Sequence, residues 1–186
     1  MPLIRETIVT TTSKEGRAHV APLGLIAEGD DWIVAPFRPS TTLDNLLAVP
    51  FATASHTDDV RVFAGCLTGR NEWPTVPAKA VPVPRLAGAL SHAELAVVET
   101  RDDLQRPRLR CRLVRLATHA PFQGFNRAQA AVLEAAILVS RLHMLPLDKI
   151  EREMAYLQTA VDKTAGPREL EAWGWLAEKF QAHFAA

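Results

Sequence analysis

The chain has 186 residues and carries 21 acidic and 21 basic side chains, so its formal net charge is zero. A chain of this length forms one domain, or a domain with a helical extension. Nucleic-acid binding usually relies on a surplus of lysine and arginine, so the balanced charge argues against that class of protein. A globular-average content of hydrophobic and charged residues also excludes a disordered or low-complexity protein.

The two cysteines, Cys66 and Cys111, lack the paired spacing of a zinc site or a redox dithiol, so we expect no metal. The sequence contains no run of about 20 apolar residues that would predict a membrane span. The first residues also lack the charged and then apolar order of a signal peptide. We therefore expect a cytoplasmic protein with neither a membrane nor a nucleic-acid partner.

Up to about residue 120 the chain is rich in β-branched residues and prolines, a composition that predicts strands. A short helix is expected after Ser40, a typical N-cap, and should end before Pro50. Hairpins rather than long helices separate the predicted strands, which favours an antiparallel barrel or sandwich. The predicted strands cover residues 4–12, 18–26, 32–37, 51–56, 60–66, 95–100 and 109–117.

After Phe122 the chain becomes rich in Ala, Leu and Glu at helical spacing. The first helix is predicted to begin after Asn126, a good N-cap, and to run to about residue 144. Two further helices are expected on either side of Gly166. This change in composition predicts a barrel domain over residues 1–120 and a helical domain over residues 121–186.

The segment around the predicted short helix carries Arg38 and three consecutive hydroxyl residues at 40–42. Free backbone N–H groups and the positive end of the helix dipole favour an anion at such a position, and a phosphate would fit. The simpler alternative is a serine N-cap on an ordinary helix, with Arg38 in solvent. Asn45 should lie one turn further along on the side of Thr41 and Thr42.

The second predicted strand contains Pro22 and Gly24, which are unusual within a sheet. Proline removes a ladder donor and glycine offers no side chain for packing, so the pair marks an edge, a bulge or a ligand against the backbone. Exposed amide and carbonyl groups there could pair with a flat heterocycle. His19 has no second metal-ligating residue at a suitable spacing, so we do not assign it to a metal.

A polar segment at residues 55–59 follows an apolar strand, and its simplest interpretation is a capped turn. The sequence lacks the common local motifs of serine hydrolases, zinc proteases and P-loop proteins. No catalytic acid, base or nucleophile is therefore assigned.

Taken in order, these motifs resemble a family of unknown function within the FMN-binding split-barrel superfamily, which is related to flavin reductases and pyridoxamine-phosphate oxidases. The family is known mainly from archaea and methylotrophic bacteria. The resemblance implies a mainly β protein with α: a six-stranded antiparallel split β-barrel followed by a three-helix C-terminal region. It also implies a homodimer with FMN near the subunit interface. It rests on residues 6–11, 19–24, 35–46, 55–63, 125–135 and 140–142.

The resemblance assigns residues to the cofactor in three groups, for the phosphate and ribityl end, for the isoalloxazine ring, and for the opposite side of the ring. These are Arg38, Ser40, Thr41, Thr42 and Asn45; Ala21, Pro22, Leu23 and Gly24; and His56, Thr57 and Asp58. Leu23 and His56 stand where many relatives are expected to carry Met and Asn. Backbone contacts would tolerate those two changes more readily than side-chain contacts.

A bound flavin would bring its own redox chemistry, which agrees with the lack of an acid–base motif. The resemblance therefore implies an FMN-dependent oxidoreductase or flavin reductase-like protein of unknown substrate and electron donor. A non-catalytic flavin carrier or sensor, with the helical part closing the ring face or docking a partner, is the alternative. A pyridoxal-phosphate or haem binder on the same barrel is less favoured, because no pattern selects one histidine as an axial ligand.

Overall fold

A computed structural model describes residues 2–184 of the chain. The strands are β1 (Ile4–Thr12), β2 (Ala18–Glu28), β3 (Asp31–Val34), β4 (Phe51–His56), β5 (Thr75–Val76), β6 (Arg85–Leu86), β7 (Ser91–Arg101) and β8 (Arg108–Thr118). The helices are α1 (Thr41–Ala48), α2 (Arg61–Leu67), α3 (Arg127–Val139), α4 (Leu147–Thr164) and α5 (Pro167–Phe184).

Six strands form a closed antiparallel barrel in the order β1-β2-β3-β8-β7-β4, and β5 and β6 form a separate two-stranded sheet. The β1–β2 hairpin pairs residues from Ile4↔Ile26 to Thr12↔Ala18. Three residue pairs between β3 and β8, from Trp32↔Cys111 to Val34↔Leu109, close the barrel wall. The predicted six-stranded barrel with a helical C-terminal region is confirmed.

The barrel core is built from residues that alternate along the strands, as period-2 geometry requires. Val9, Leu25, Leu95 and Leu109 are among the residues buried in it. Helix α1 packs against β1 and β2, and its Leu43 and Leu46 join the same core. The helix therefore stands against the barrel with one apolar face buried.

The proline-rich segment at residues 77–87 lies along the face formed by β4 and β7. The Thr53 hydroxyl donates to the Pro84 carbonyl at 2.7 Å, and the Leu86 N–H donates to the Ser55 hydroxyl at 3.2 Å. An extended path with side-chain partners suits a segment in which proline prevents regular ladder hydrogen bonds.

A buried carboxylate, Glu94, holds the same segment to β7. It is 0% exposed and accepts hydrogen bonds from the N–H groups of Lys79, Ala80 and Val81. Burial alone would raise the pKa of Glu94, but the hydrogen bonds from Ala80 and Lys79 and the contact with His92 outweigh it and lower that pKa. The carboxylate is therefore kept ionised by its partners.

Two histidines continue this hydrogen-bond chain toward the surface. His92 Nε2 lies 3.2 Å from Glu94 Oε1, and His92 Nδ1 lies 2.9 Å from Nε2 of His119. Because a carboxylate only accepts, His92 donates from Nε2 and accepts at Nδ1. Burial lowers the pKa of His92, against the raising effect of Glu94, so His92 is neutral at neutral pH.

The predicted strand over residues 60–66 is wrong, because this segment forms helix α2. Its β-branched and aromatic residues favour a strand, but the Asp59 carboxylate accepts from the Arg61 N–H at 3.2 Å at the helix start. Val60 and Ala64, four residues apart, bury one face in the helical core. Tertiary burial at helical spacing outweighs the local strand preference.

Two predicted elements end earlier in the structure than expected, whereas the strand predicted over residues 95–100 begins earlier, at Ser91. The third strand ends at Val34 rather than at residue 37, because Pro36 and Pro39 cannot donate to a ladder. Helix α3 ends at Val139 rather than near residue 144. The Arg141 N–H donates to the Leu138 carbonyl in a tight turn, and the chain turns before Pro146.

The helices α2, α3, α4 and α5 share a second hydrophobic core that includes Val132, Ile150 and Leu176. The predicted N-cap is confirmed, since the Asn126 side chain accepts from the Ala128 N–H at 2.8 Å.

Among residues 2–184, no helix combines the length and apolar character that a bilayer crossing would require.

The chain separates into two compact units. The first comprises the chain up to Thr57 together with Asn71–Pro121, and the second comprises Asp58–Arg70 and the chain from Phe122 onward. The second unit therefore includes α2 as well as the C-terminal helices. The division into independent domains at residues 120 and 121 stays a prediction.

The buried histidines predict that stability falls in mild acid. Burial lowers the pKa of His56 and of His92 in the folded state. Below the ordinary histidine pKa of about 6.5, the unfolded chain binds more protons than the folded chain. The free energy of unfolding therefore decreases as the pH falls below that value. We expect a lower urea midpoint at acidic than at neutral pH, and a smaller difference in a His92→Gln variant.

The control for this measurement is His143→Gln, because His143 is exposed on the helical unit. This variant should keep the full pH dependence of the natural chain. A urea midpoint that does not move between about pH 7.5 and about pH 5.5, on either side of the ordinary histidine pKa, would contradict the assignment of neutral, buried histidines.

Candidate functional site

The chain leaves the barrel wall after β3 and reaches α1 through residues 35–40. The Arg38–Pro39 peptide bond in this loop is cis. Ser40 is the N-cap of α1, as predicted, and its hydroxyl accepts from the Leu43 N–H at 3.3 Å. The Asp44 N–H donates to the Ser40 carbonyl at 3.1 Å. The loop therefore ends in a helix start whose geometry is fixed by the serine.

Several hydrogen-bond donors remain available at this helix start. The N–H groups of Thr41 and Thr42 precede the first hydrogen bond within the helix, and no acceptor among residues 2–184 binds them. Arg38 uses one nitrogen, Nη2, in a 2.8 Å contact with Asp102 Oδ1. Backbone N–H groups beside a guanidinium are the donor set that binds phosphate. The chemistry of this loop therefore fits the phosphate of FMN.

The side chains of α1 point in two directions. Thr42 and Asn45 are buried, and the Asn45 amide donates to the Thr11 hydroxyl on β1 at 3.0 Å. Thr41 is exposed. The predicted common side for Thr41, Thr42 and Asn45 is therefore only partly right, because a helix turns residue 41 away from the face that Thr42 and Asn45 share.

The segment Ala21, Pro22, Leu23 and Gly24 lies within β2, opposite residues 6–9 of β1. All four residues are half-buried. The pairing between β2 and β3 covers only Ile26↔Ile33 to Glu28↔Asp31, so the other edge of β2 at residues 21–24 has no strand partner in the described part of the chain. Of the three predicted alternatives at Pro22 and Gly24, an edge, a bulge or a ligand against the backbone, the structure shows the edge. A ligand there stays a prediction.

Gly24 marks a close approach between β2 and the side chains of β1. A Cβ atom at this position would lie 2.8 Å from Ile4 Cγ2 and 3.3 Å from Glu6 Oε1. The Thr7 hydroxyl donates to the Leu23 carbonyl at 2.9 Å on the same strand pair. Glycine is therefore required here by space rather than by backbone conformation.

The third predicted group is divided by the fold. His56 ends β4, and its Nδ1 lies 2.9 Å from the Ser91 hydroxyl. Burial lowers the pKa of His56, and nearby Arg5 and His92 lower it further. Thr57 approaches the Gly88 carbonyl at 3.5 Å, whereas Asp58 begins the helical unit. The structure therefore places His56 and Thr57, but not Asp58, in the barrel unit with the other predicted residues.

Three residues of the β7–β8 hairpin contact the loop and were not predicted, and one of them, Gln105, accepts at its carbonyl from the Arg38 N–H at 2.9 Å. Asp102 pairs with Arg38, and Arg106 donates two hydrogen bonds to the Ala35 carbonyl. A separation of 71 residues lies between Arg106 and Ala35, and no spacing in the sequence brings them together. The contact between Arg106 and Ala35 becomes apparent only in the folded chain, where the β7–β8 hairpin places Arg106 beside the loop.

An open cavity of about 430 Å³ lies elsewhere on the barrel unit, lined by Ala18, Val20 and residues 71–75. It contains none of the residues assigned to the cofactor. The cavity and the predicted cofactor residues therefore do not coincide.

Family models match nearly the whole chain. One described as the N-terminal domain of a protein of unknown function, DUF447, matches residues 5–120. A second, described as DUF447, matches residues 126–178. None of the curated proteins matches the sequence.

Several solved structures share the fold. An FMN-bound protein from Methanosarcina mazei, described as a DUF447 protein, has a TM-score of 0.81 at 20% identity over 96% of each chain. A 2-nitrobenzoate 2-nitroreductase from Pseudomonas fluorescens has a TM-score of 0.54 at 18% identity over 64% of this chain and 66% of that chain. An FMN-binding protein from Thermus thermophilus with bound p-hydroxybenzaldehyde has a TM-score of 0.53 at 18% identity, covering 64% and 73%.

The close approach at Gly24 predicts that Gly24→Ala destabilises the barrel by about 1–2 kcal/mol, since the new methyl group overpacks against Ile4. Chemical denaturation measures the change. Gly88→Ala is the control, because a Cβ there meets no atom within 4 Å. Removing the obstructing branch with Ile4→Ala should reduce the cost of Gly24→Ala. An equal cost in both backgrounds would show that the close approach is not the cause.

Proposed function

This chain belongs to the DUF447 family, and on that basis we propose that it is an FMN-binding flavoprotein that acts as an oxidoreductase or flavin reductase of unknown substrate. The observation that carries the proposal is the shared fold, over 96% of each chain, with the FMN-bound protein from Methanosarcina mazei. The phosphate-type donor set at the start of α1 supports it independently.

In this proposal the chain binds the FMN phosphate at the start of α1. Arg38 and the N–H groups of Thr41 and Thr42 donate to it, and Ser40 fixes the helix start that aims those N–H groups. Asn45 acts at a distance from the phosphate, because its amide is bound to Thr11 and holds α1 against β1. The helix dipole adds a favourable interaction with the dianion.

The isoalloxazine ring would lie along the open edge of β2 at residues 21–24. Backbone groups there orient the ring, so a leucine at position 23 in place of the expected methionine matters little. His56 would face the opposite side of the ring as a neutral imidazole, held through Nδ1 by Ser91. FMN, when bound, supplies the redox chemistry, and the chain supplies position and electrostatics.

A homodimer with FMN near the subunit interface is part of the proposal. The second half of β8 supports it, because the pairing of β3 with β8 covers only Leu109–Cys111 and leaves the later residues paired with β7 alone. Leu113, Val114 and Leu116 are exposed there. A strand end that carries three exposed apolar side chains beside Arg112 and Arg115, with an unpaired edge, is suited to association with a second copy. The cytoplasmic location stays a prediction.

Titration with FMN tests the proposal directly. We expect the purified chain to take up FMN, with an absorption spectrum of oxidised flavin that disappears on reduction with dithionite. A chain that stays colourless after incubation with FMN would refute the proposal. Bound flavin that is reduced by NADH or NADPH and reoxidised by an acceptor supports an enzyme, whereas flavin that no donor reduces supports the carrier alternative.

Removing the guanidinium at position 38 should weaken FMN binding. A charge-assisted contact to phosphate contributes about 1.5–3 kcal/mol, and partial exposure of Arg38 places the expected loss near the lower value. Arg38→Ala should therefore bind FMN about tenfold more weakly, measured by quenching of flavin fluorescence. Arg17→Ala, at the exposed β1–β2 turn, is the control. Unchanged affinity in Arg38→Ala would remove Arg38 from the phosphate site.

A further inference from the structure

The hairpin between β7 and β8 is tied to the loop that precedes α1 by backbone and side-chain contacts. The Arg38 N–H donates to the Gln105 carbonyl at 2.9 Å, and Arg38 Nη2 donates to Asp102 at 2.8 Å. The loop therefore does not depend on its own two prolines alone for its shape. Its position is set by residues 102–106.

Arg106 provides the most specific of these contacts. Its Nε and Nη2 atoms donate to one acceptor, the Ala35 carbonyl, at 3.2 and 2.9 Å. Its guanidinium carbon also lies 4.6 Å from the centre of the Phe37 ring. One planar group thus holds the backbone before Pro36 and the side chain after it.

The hairpin itself is fixed so that Arg106 projects toward the loop. Asp103 Oδ1 accepts from the N–H groups of Gln105 and Arg106 at 2.8 and 2.7 Å. A carboxylate that accepts from successive backbone donors forms an Asx-type turn. The backbone position of Arg106 is therefore fixed by hydrogen bonds within its own hairpin.

We propose that Arg106 is a positioning residue for phosphate recognition: it holds Ala35 and Phe37 so that Arg38 and the start of α1 meet the phosphate together. The inference rests on the proposed function, because the ligand is FMN. Arg106 acts through the loop and not as a further charge on the phosphate, since its Nε and Nη2 atoms donate to a carbonyl and its face is stacked on a ring. Phe37 is 62% exposed, and its ring lies against the Arg106 guanidinium.

Arginine suits this role and lysine does not. A guanidinium offers a rigid fork of donors and a flat face, whereas an ammonium offers a single charged point on a flexible stem. The substitution Arg106→Lys would keep the positive charge but lose both the paired hydrogen bonds and the stacking. Comparing Arg106→Lys with Arg106→Ala therefore separates the effect of the positive charge from the effect of the hydrogen bonds and the stacking.

The test compares FMN with riboflavin, which lacks the phosphate, as ligands of Arg106→Ala, Arg106→Lys and the natural chain. Each affinity is measured by quenching of flavin fluorescence. The ratio of the two affinities reports phosphate recognition, and a general loss of folding would affect both ligands alike. We expect Arg106→Ala to reduce the FMN preference about three- to tenfold, with riboflavin affinity nearly unchanged.

The control is Arg108→Ala, because Arg108 is exposed and lies close to Arg106 in the chain. It should keep the full preference for FMN, and Arg106→Lys should not restore the preference. An unchanged ratio in Arg106→Ala, or full rescue by Arg106→Lys, would overturn the inference while leaving FMN binding intact. Failure of the natural chain to bind FMN would instead refute the proposed function, and this inference with it.

Discussion

The three residue pairs between β3 and β8 close the barrel, and the proposed site depends on how short that pairing is. Since β3 ends at Val34, the chain leaves the barrel wall beside the β7–β8 hairpin and crosses to α1. For the same reason β3 covers only the end of β2, and residues 21–24 keep an open edge. The short strand β3 thus accounts both for the loop over residues 35–40 and for the unpaired edge of β2 at residues 21–24.

The site relies on groups that the fold fixes before any ligand binds. Ser40 sets the helix start, Asn45 ties α1 to β1, and Arg106 holds the loop from the hairpin. Preorganised donors need little rearrangement on binding, so more of their interaction energy appears as affinity. In the proposed site, this arrangement lets a chain of zero net charge bind a dianion locally.

Local signals were sufficient for most of the strands and for the Ser40 cap, because β-branched runs and N-cap residues act locally. They left a barrel and a sandwich both open, and only the family resemblance predicted the six-stranded barrel. Local signals were misleading for α2, where Val60 and Ala64 pack into a core formed with distant helices. The buried Glu94 and His92 could not be predicted, because their alternation in β7 is typical of a solvent-facing strand until residues 77–87 cover it. The contact between Arg106 and Ala35 was equally hidden, since it depends on closure of the barrel.

The central claim is that FMN binds this chain with its phosphate at the start of α1. A crystal structure of the protein with FMN tests it most directly. We expect the phosphate within hydrogen-bonding distance of Arg38 and of the N–H groups of Thr41 and Thr42, with the ring along residues 21–24. A phosphate bound elsewhere, such as in the cavity lined by residues 71–75, would contradict it.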